Sequence, residues 1–368
     1  MAGGRMNLNA EIRLPVSIER KLARLAFGSK TRERCWRKLA THQRHRMPID
    51  ESLRLFAKQA RAADSLSAQC YTLMRDRLSA GKNMRETLAG LATLEEILLI
   101  HSSQIGGKLS EGLLLAADLL AAKRKVIGAV IGAVAYPAFL FALVVVVLYA
   151  MSVVIIPQLT AITDPTHWQG PAAILYRISR FVDSSAGLFA LLALVGALIL
   201  VFVTLPLWAG TGRLWADRIP PWSVYRLLVG VSWLHTVATL MSVGQKPVDI
   251  LAAMLTDHST TPYLRNILRR INNHVGRGSN LGDALEKTGL RWPSPELVEE
   301  LQAYSNLPGF GEQIRAIAAD WLTDGIALIV RAARALNIIC ILMVGGLVIL
   351  MVTGITSIQQ QIAIGIGG

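Results

Sequence analysis

The sequence is poor in charge, in cysteine and in aromatics, and each shortage removes a class of function. Asp, Glu, Lys and Arg make up 17% of the 368 residues against 52% hydrophobic, and mean hydropathy is +0.43. That balance is too apolar for an ordinary soluble enzyme. Cys35, Cys70 and Cys340 are the only cysteines and lie far apart, so neither a disulfide framework nor a zinc spacing is visible. Aromatics are 6%, and the basic segments hold few of them. The +13 formal charge therefore does not point to nucleic acid, whose single strands are gripped by interleaved aromatic and basic side chains.

Catalytic motifs are missing as well. "HSSQIGGKLSEGL" (His101–Leu113) looks like the end of a phosphate loop, which requires G-x-x-x-x-G-K-[S/T] so that backbone N–H groups wrap the phosphate. Here Ser102 stands where the first glycine belongs and Leu109 where the magnesium-binding hydroxyl belongs. "GRGSNLG" (Gly276–Gly282) misses the dinucleotide fingerprint by one residue. His42 and His45, with Cys35 upstream, form no metal set. Glu95-Glu96 and Glu299-Glu300 are adjacent only in sequence, and neighbours on a helix do not face each other; they are expected on solvated faces. No catalytic residue, cofactor or metal is expected.

What the chain has instead is long uncharged runs. They cover 126–156, 184–209 and 335–358, each longer than the roughly 20 apolar residues a membrane span needs. The N-terminal "MAGGRMNLNAEIRLPVSIERK" lacks the apolar core of a secretory signal. Of the 38 Lys and Arg, 23 precede the first run, 2 lie between the first and second, and 13 between the second and third. Basic residues near span ends mark the cytoplasmic side: Lys123, Arg124 and Lys125 abut the first run, Arg213 and Arg218 follow the second, Arg331 and Arg334 precede the third. The expected organisation is an all-α, polytopic, multi-pass membrane protein with a cytoplasmic N-terminus. A basic amphipathic segment (1–35) and a helical domain (36–125) precede the first span. An external loop (157–183) precedes the second span, a second helical domain (210–334) precedes the third, and an external tail (359–368) ends the chain.

The two helical domains read as copies. In the first, Leu53, Phe56, Ala57 and Ala60 recur at helical spacing, as do Leu66, Cys70, Leu73 and Met74, with Gly81 as a stop. In the second, Leu264, Ile267, Leu268, Ile271 and Val275 form a stripe behind the Thr261-Pro262 start. "MPIDESL" pairs with "KPVDIL", "RLSAGKNMRETL" with "HVGRGSNLGDAL", and Ala116-Ala117-Asp118 with Ala318-Ala319-Asp320, with a small insertion around "RWPSP". Each copy runs into an apolar span.

This arrangement resembles the type II secretion F family, the inner-membrane platform proteins of type II secretion systems and type IV pili. The likeness runs from about residue 36 onward. The motifs that carry it are "AAKRKVIGAVIGAVAYP" with Tyr136 and Pro137, "VVIIPQL" with Pro157, and "VGQKPVDIL". The family's Gly-Glu-x-Ser-Gly-x-Leu turn has a divergent counterpart in "SQIGGKL", which keeps Gly107 and Leu109. A second counterpart, "NLPGFGEQI", keeps Gly309 with Glu312 shifted. The resemblance implies a non-catalytic platform in a bacterial inner membrane. It would couple a cytoplasmic assembly ATPase to pilin or pseudopilin transmembrane helices, contact inner-membrane alignment proteins, and form a homo-oligomer. Pilus and secretion machines both remain open, and a small transporter or channel subunit is the rival of another class; the spans offer no polar lining for it.

Several residues are candidates for these roles. Gly107 and Gly309 are expected as structural turns. Gly128 and Gly132 form a G-x-x-x-G spacing that permits close helix approach, either to another chain or within one protomer. Pro137 is expected to kink the first span. In the external loop, Pro171 starts a helix whose apolar face is Ile174, Leu175, Ile178 and Phe181. Arg20, Lys21, Arg24, Arg32 and Arg34 are candidate docking cations for membrane lipids or an acidic partner.

Overall fold

The computed structural model describes residues 26–162, 164–305 and 310–366, and among these no strand occurs. Helices α1 (Ser29–Arg44), α2 (Ile49–Ala62), α3 (Ser67–Ser79), α4 (Met84–Leu88) and α5 (Leu94–Ile105) lead into the long α6 (Leu109–Ala150). A π-helical turn (Met151–Ile155) and the short α7 (Ile156–Thr160) follow, then α8 (Pro171–Asp183) and α9 (Ser185–Leu207). After the brief α10 (Thr211–Ala216), the opening order returns. Helices α11 (Trp222–Ser242), α12 (Pro247–Thr256), α13 (Pro262–Val275), α14 (Leu281–Lys287) and α15 (Pro295–Ser305) lead into the long α16 (Phe310–Ile366).

The duplication extends to single hydrogen bonds. Gly81 (φ +75°) ends α3 and Gly278 (φ +91°) ends α13. In each, the glycine N–H bonds a carbonyl three residues back and the next N–H one five residues back, closing the last turn with a left-handed residue. Asn83 then caps α4 by accepting from Glu86 N–H at 2.9 Å, and Asn280 caps α14 by accepting from Asp283 N–H at 2.7 Å. Trp36 and Trp233 are both buried, as are Leu88 and Leu285, and Ala116 and Ala318.

The chain divides into two compact units, 26–125 with 232–259 and 268–319, and 126–231 with 260–267 and 320–366. The first has an aromatic core around Tyr71, whose ring meets Phe27 at 5.5 Å and Phe56 at 5.8 Å. Each large apolar side chain buried here contributes about 1.5–3 kcal/mol. The buried face of α3 is Ala68, Cys70, Tyr71 and Met74; Leu66 and Leu73, expected on it, are exposed. Tyr71, wedged between the two phenylalanines, rotates the helix so that both leucines line a shallow groove of about 580 Å³ beside Arg61 and Asp76.

The second unit holds the apolar runs. Among the described residues, four helical stretches are long and apolar enough to cross a membrane, Leu109–Thr160, Ser185–Leu207, Trp222–Ser242 and Gln313–Gln360, where three were expected. The π turn sits just before Pro157, whose missing N–H would leave a gap in a regular ladder; Ile156 N–H instead reaches back five residues to Met151. It packs Met151, Ile156, Trp168, Ala172, Leu175 and Ile358 into a small core. Ser152 Oγ donates to the Ser179 carbonyl at 2.8 Å and accepts from Ser179 Oγ at 3.1 Å. That polar tie selects the Ala172, Leu175 and Ser179 side of α8 as its inner face. Ile174 and Phe181 of the expected apolar face are exposed instead.

Candidate functional site

The place where a helical repeat becomes an apolar helix is the base of α6, residues 109–125. Gly107 makes the approach possible. Its φ is +69°, with its N–H on the Gln104 carbonyl and the Lys108 N–H on the Ser103 carbonyl, so the chain reverses between α5 and α6. A Cβ there would meet nothing within 4 Å; the demand is on backbone conformation, not space. Lys108 is exposed and reaches Glu111 at 3.8 Å. Gly112 does the opposite job: a Cβ on it would collide with Ser103 Cβ and Oγ, so the first turn of α6 lies directly on α5.

Ion pairs then tie the base of α6 to α1 and α5. Lys123 donates to Glu95 Oε1 at 2.8 Å, Arg124 pairs with Glu33, and Asp118 accepts from Arg37 at 2.9 Å. Glu33 also holds Arg37 at 3.2 Å. Burial alone would push the Glu95 carboxyl up; the Lys123 charge and hydrogen bond, with bonds from Thr93 and its own backbone, outweigh it and hold it below the usual carboxylate range.

Behind this tie lies a buried charge. Glu96 is 0% exposed, which corrects the expectation of a solvated Glu95-Glu96 face. It closes a capping box with Thr93, accepting its N–H at 3.1 Å and Oγ at 2.8 Å. Trp36 Nε1 donates to it at 2.7 Å and Arg32 Nε at 3.1 Å. Such a carboxylate survives burial because each oxygen is paired. In the second repeat Val229 stands in register with Arg32, on the offset that pairs Trp36 with Trp233, and Val298 with Glu96, on the offset that pairs Ala116 with Ala318. Trp233 Nε1 is buried without a hydrogen-bond partner among the described residues, its ring against Trp292 at 5.2 Å.

The other sequence candidates fall as follows. Arg32 is not a free docking cation, since its guanidinium holds Glu96 and the Phe27 carbonyl. Arg34 is exposed. Arg20, Lys21, Arg24 and Gly309 lie outside the described residues. Gly128 and Gly132 are exposed, with nothing within 4 Å of a Cβ on either. Pro137 is buried, and α6 continues through it. His42 Nδ1 lies 2.9 Å from Ser52 Oγ, a packing contact, and no cluster of three metal-ligating side chains occurs among the described residues. Sequence reasoning missed Glu33, Glu96 and Gly112. Thr93-x-x-Glu96 was a readable capping box, and Gly112 an isolated glycine inside a helical pattern.

Duplicated helical repeats that each run into a long apolar helix define an internally duplicated, all-helical class of protein whose long helices are apolar enough to cross a membrane. Comparison with known proteins makes this specific. The model of the family "Type II secretion system (T2SS), protein F" matches residues 36–157 and again 233–358, and the chain belongs to that family. The two matched segments each begin three residues before the helical positions of Leu39 and Thr236, at Trp36 and Trp233. A curated relative, toxin coregulated pilus biosynthesis protein E of Vibrio cholerae serotype O1, is 21% identical over 252 residues, 67% of this chain and 72% of the relative.

Proposed function

We propose that the chain is a non-catalytic platform of a type IV pilus biogenesis machine in the inner membrane. In this reading it couples a cytoplasmic assembly ATPase to the extraction and polymerisation of pilin. The observation that carries it is the double family match, each copy of which runs unbroken into a long apolar helix. The pilus is favoured over a secretion pseudopilus because the relative is named for pilus biosynthesis.

The spans in this reading are 126–156, 184–209 and 335–358, with the repeats on the cytoplasmic side. Helix α11 is the fourth apolar candidate, but half of its most apolar stretch is buried. It also holds the position in the second repeat that the basic helix α1 holds in the first, so it belongs to a bundle. Force or rotation delivered to α1 and α5 by a motor would reach the first span through the Glu33–Arg124 and Glu95–Lys123 pairs. The exposed Gly128 and Gly132 face would meet a pilin helix or a second copy.

The test is affinity capture of the full chain with a co-expressed assembly ATPase, beside piliation of a deletion strain. Retention of the ATPase and loss of pili are expected. No retention together with normal piliation refutes the reading.

A further inference from the structure

Helix α10 is built the wrong way round for water. Its charged residues face inward: Arg213 is 1% exposed and Asp217, just beyond its end, 5%. Arg213 Nε donates to Asp217 Oδ1 at 2.7 Å and Nη1 to the Thr204 carbonyl at 3.0 Å, stapling α10 to the last turn of α9. Tyr263 OH donates to Asp217 Oδ2 at 3.1 Å, and the Tyr263 ring lies 4.5 Å from the guanidinium carbon. The large side chains that α10 leaves outside are apolar. Trp215 is 68% exposed, and Leu207, Trp208, Leu214 and Ile219 are exposed with it.

A six-residue helix that hides a salt bridge and displays tryptophan and leucine has lipid, not water, as its outer solvent. The exposed apolar surface is continuous with α9, of which no residue is buried. Tryptophan collects at the level of the headgroups, where an apolar ring can carry a polar N–H. Arg218, exposed beside Ile219, supplies a cation at the same level.

We infer that residues 207–219 form an interfacial collar at the C-terminal end of α9, inserted into the phospholipid headgroup–acyl boundary. Trp215 and Leu214 enter the acyl region, and Arg218 meets a lipid phosphate. The collar fixes the depth of α9 and carries the membrane boundary past residue 209. This inference rests on the membrane reading of α9, and the experiment separates the two.

The full chain is reconstituted in phospholipid nanodiscs with p-benzoylphenylalanine in place of Trp215 or, separately, of Leu198 in mid-α9. After illumination, adducts are identified by peptide mass. One phospholipid mass added at both positions is expected. A lipid adduct at Leu198 with a protein adduct, or none, at Trp215 overturns the collar alone. No lipid adduct at either position overturns the membrane reading with it.

Discussion

Arg32 should change the sign of its contribution when Glu96 is removed. In the native chain Glu96 is fully buried and accepts from Arg32, Trp36 and Thr93. Breaking a buried pair from one side leaves an uncompensated charge and costs about 3–5 kcal/mol. Glu96→Leu should therefore destabilise the α1–α5 contact by that amount, because Arg32 is left facing an apolar side chain. Arg32→Val in the native background should also destabilise, leaving the Glu96 carboxylate without its cation. In the Glu96→Leu background the same Arg32→Val change should restore stability, since nothing charged then remains buried. A penalty of about 1–3 kcal/mol for the orphaned Trp36 N–H should persist.

The second repeat already carries an apolar pair here, Val229 and Val298, and Trp233 Nε1 has no hydrogen-bond partner among the described residues. The assay is hydrogen exchange of the α5 amides in the full chain. A loss of 3–5 kcal/mol appears as roughly 10²- to 10⁴-fold faster exchange through opening. The reasoning fails if Arg32→Val accelerates exchange equally in both backgrounds, which would mean that the two side chains act independently.

Three further outcomes follow from the base of α6. Gly107→Val should cost about 1–2 kcal/mol for a left-handed backbone in a branched residue, Gly107→Asn less, and Lys108→Ala within about 0.5 kcal/mol of nothing; thermal unfolding ranks them. Gly112→Ala should destabilise by about 1–3 kcal/mol through overpacking against Ser103, and Ser103→Gly should recover part of that loss in the same assay. The depressed Glu95 carboxyl contributes stability that is complete above its ordinary value of 4.5 and is lost as pH falls through the lower folded value. In Lys123→Gln the charge and hydrogen bond that most oppose burial are gone, so the carboxyl should titrate higher than in the native chain and the stability lost on acidification should shrink; NMR titration of the Glu95 carboxyl reads the upward shift.

Much of the fold was legible because it depends on local signals. Gly81 and Gly278 sit at the same offset in the two repeats, and a left-handed stop announces itself in a single sequence. The apolar runs were legible for the same reason. What escaped depended on tertiary choice. Leu66 and Leu73 share helical spacing with Cys70, yet two phenylalanines from elsewhere in the chain decided which side of α3 turns inward. In α8 a pair of serines outvoted Ile174 and Phe181. Glu96 was read as solvated because a carboxylate usually is; its capping box with Thr93 was visible, but Trp36, sixty residues away, was not. The inverted α10 escaped because Arg213 and Asp217 look like ordinary cytoplasmic-side charges until their rings and carbonyl are in place.

The duplication makes one further step possible. Because the second repeat builds the same succession of helices with valines where the first has Arg32 and Glu96, the buried ion pair is not required for the fold. Replacing such a pair by apolar side chains is often neutral or stabilising, so its presence is better accounted for by orientation than by stability. Arg32 and Glu96 lie on α1 and α5, the two helices whose Glu33 and Glu95 hold Arg124 and Lys123. A salt bridge tolerates less sliding than an apolar contact, since its geometry must be met on both sides. The first repeat thus fixes the register of α1 against α5, and through them the angular position of the basic end of α6. If that is its purpose, Arg32→Val with Glu96→Leu should leave the bundle folded while loosening the Lys123–Glu95 tie. In the double variant the NMR titration of the Glu95 carboxyl should move back up toward 4.5, and an unmoved titration would leave the ion pair without a role in orienting α6.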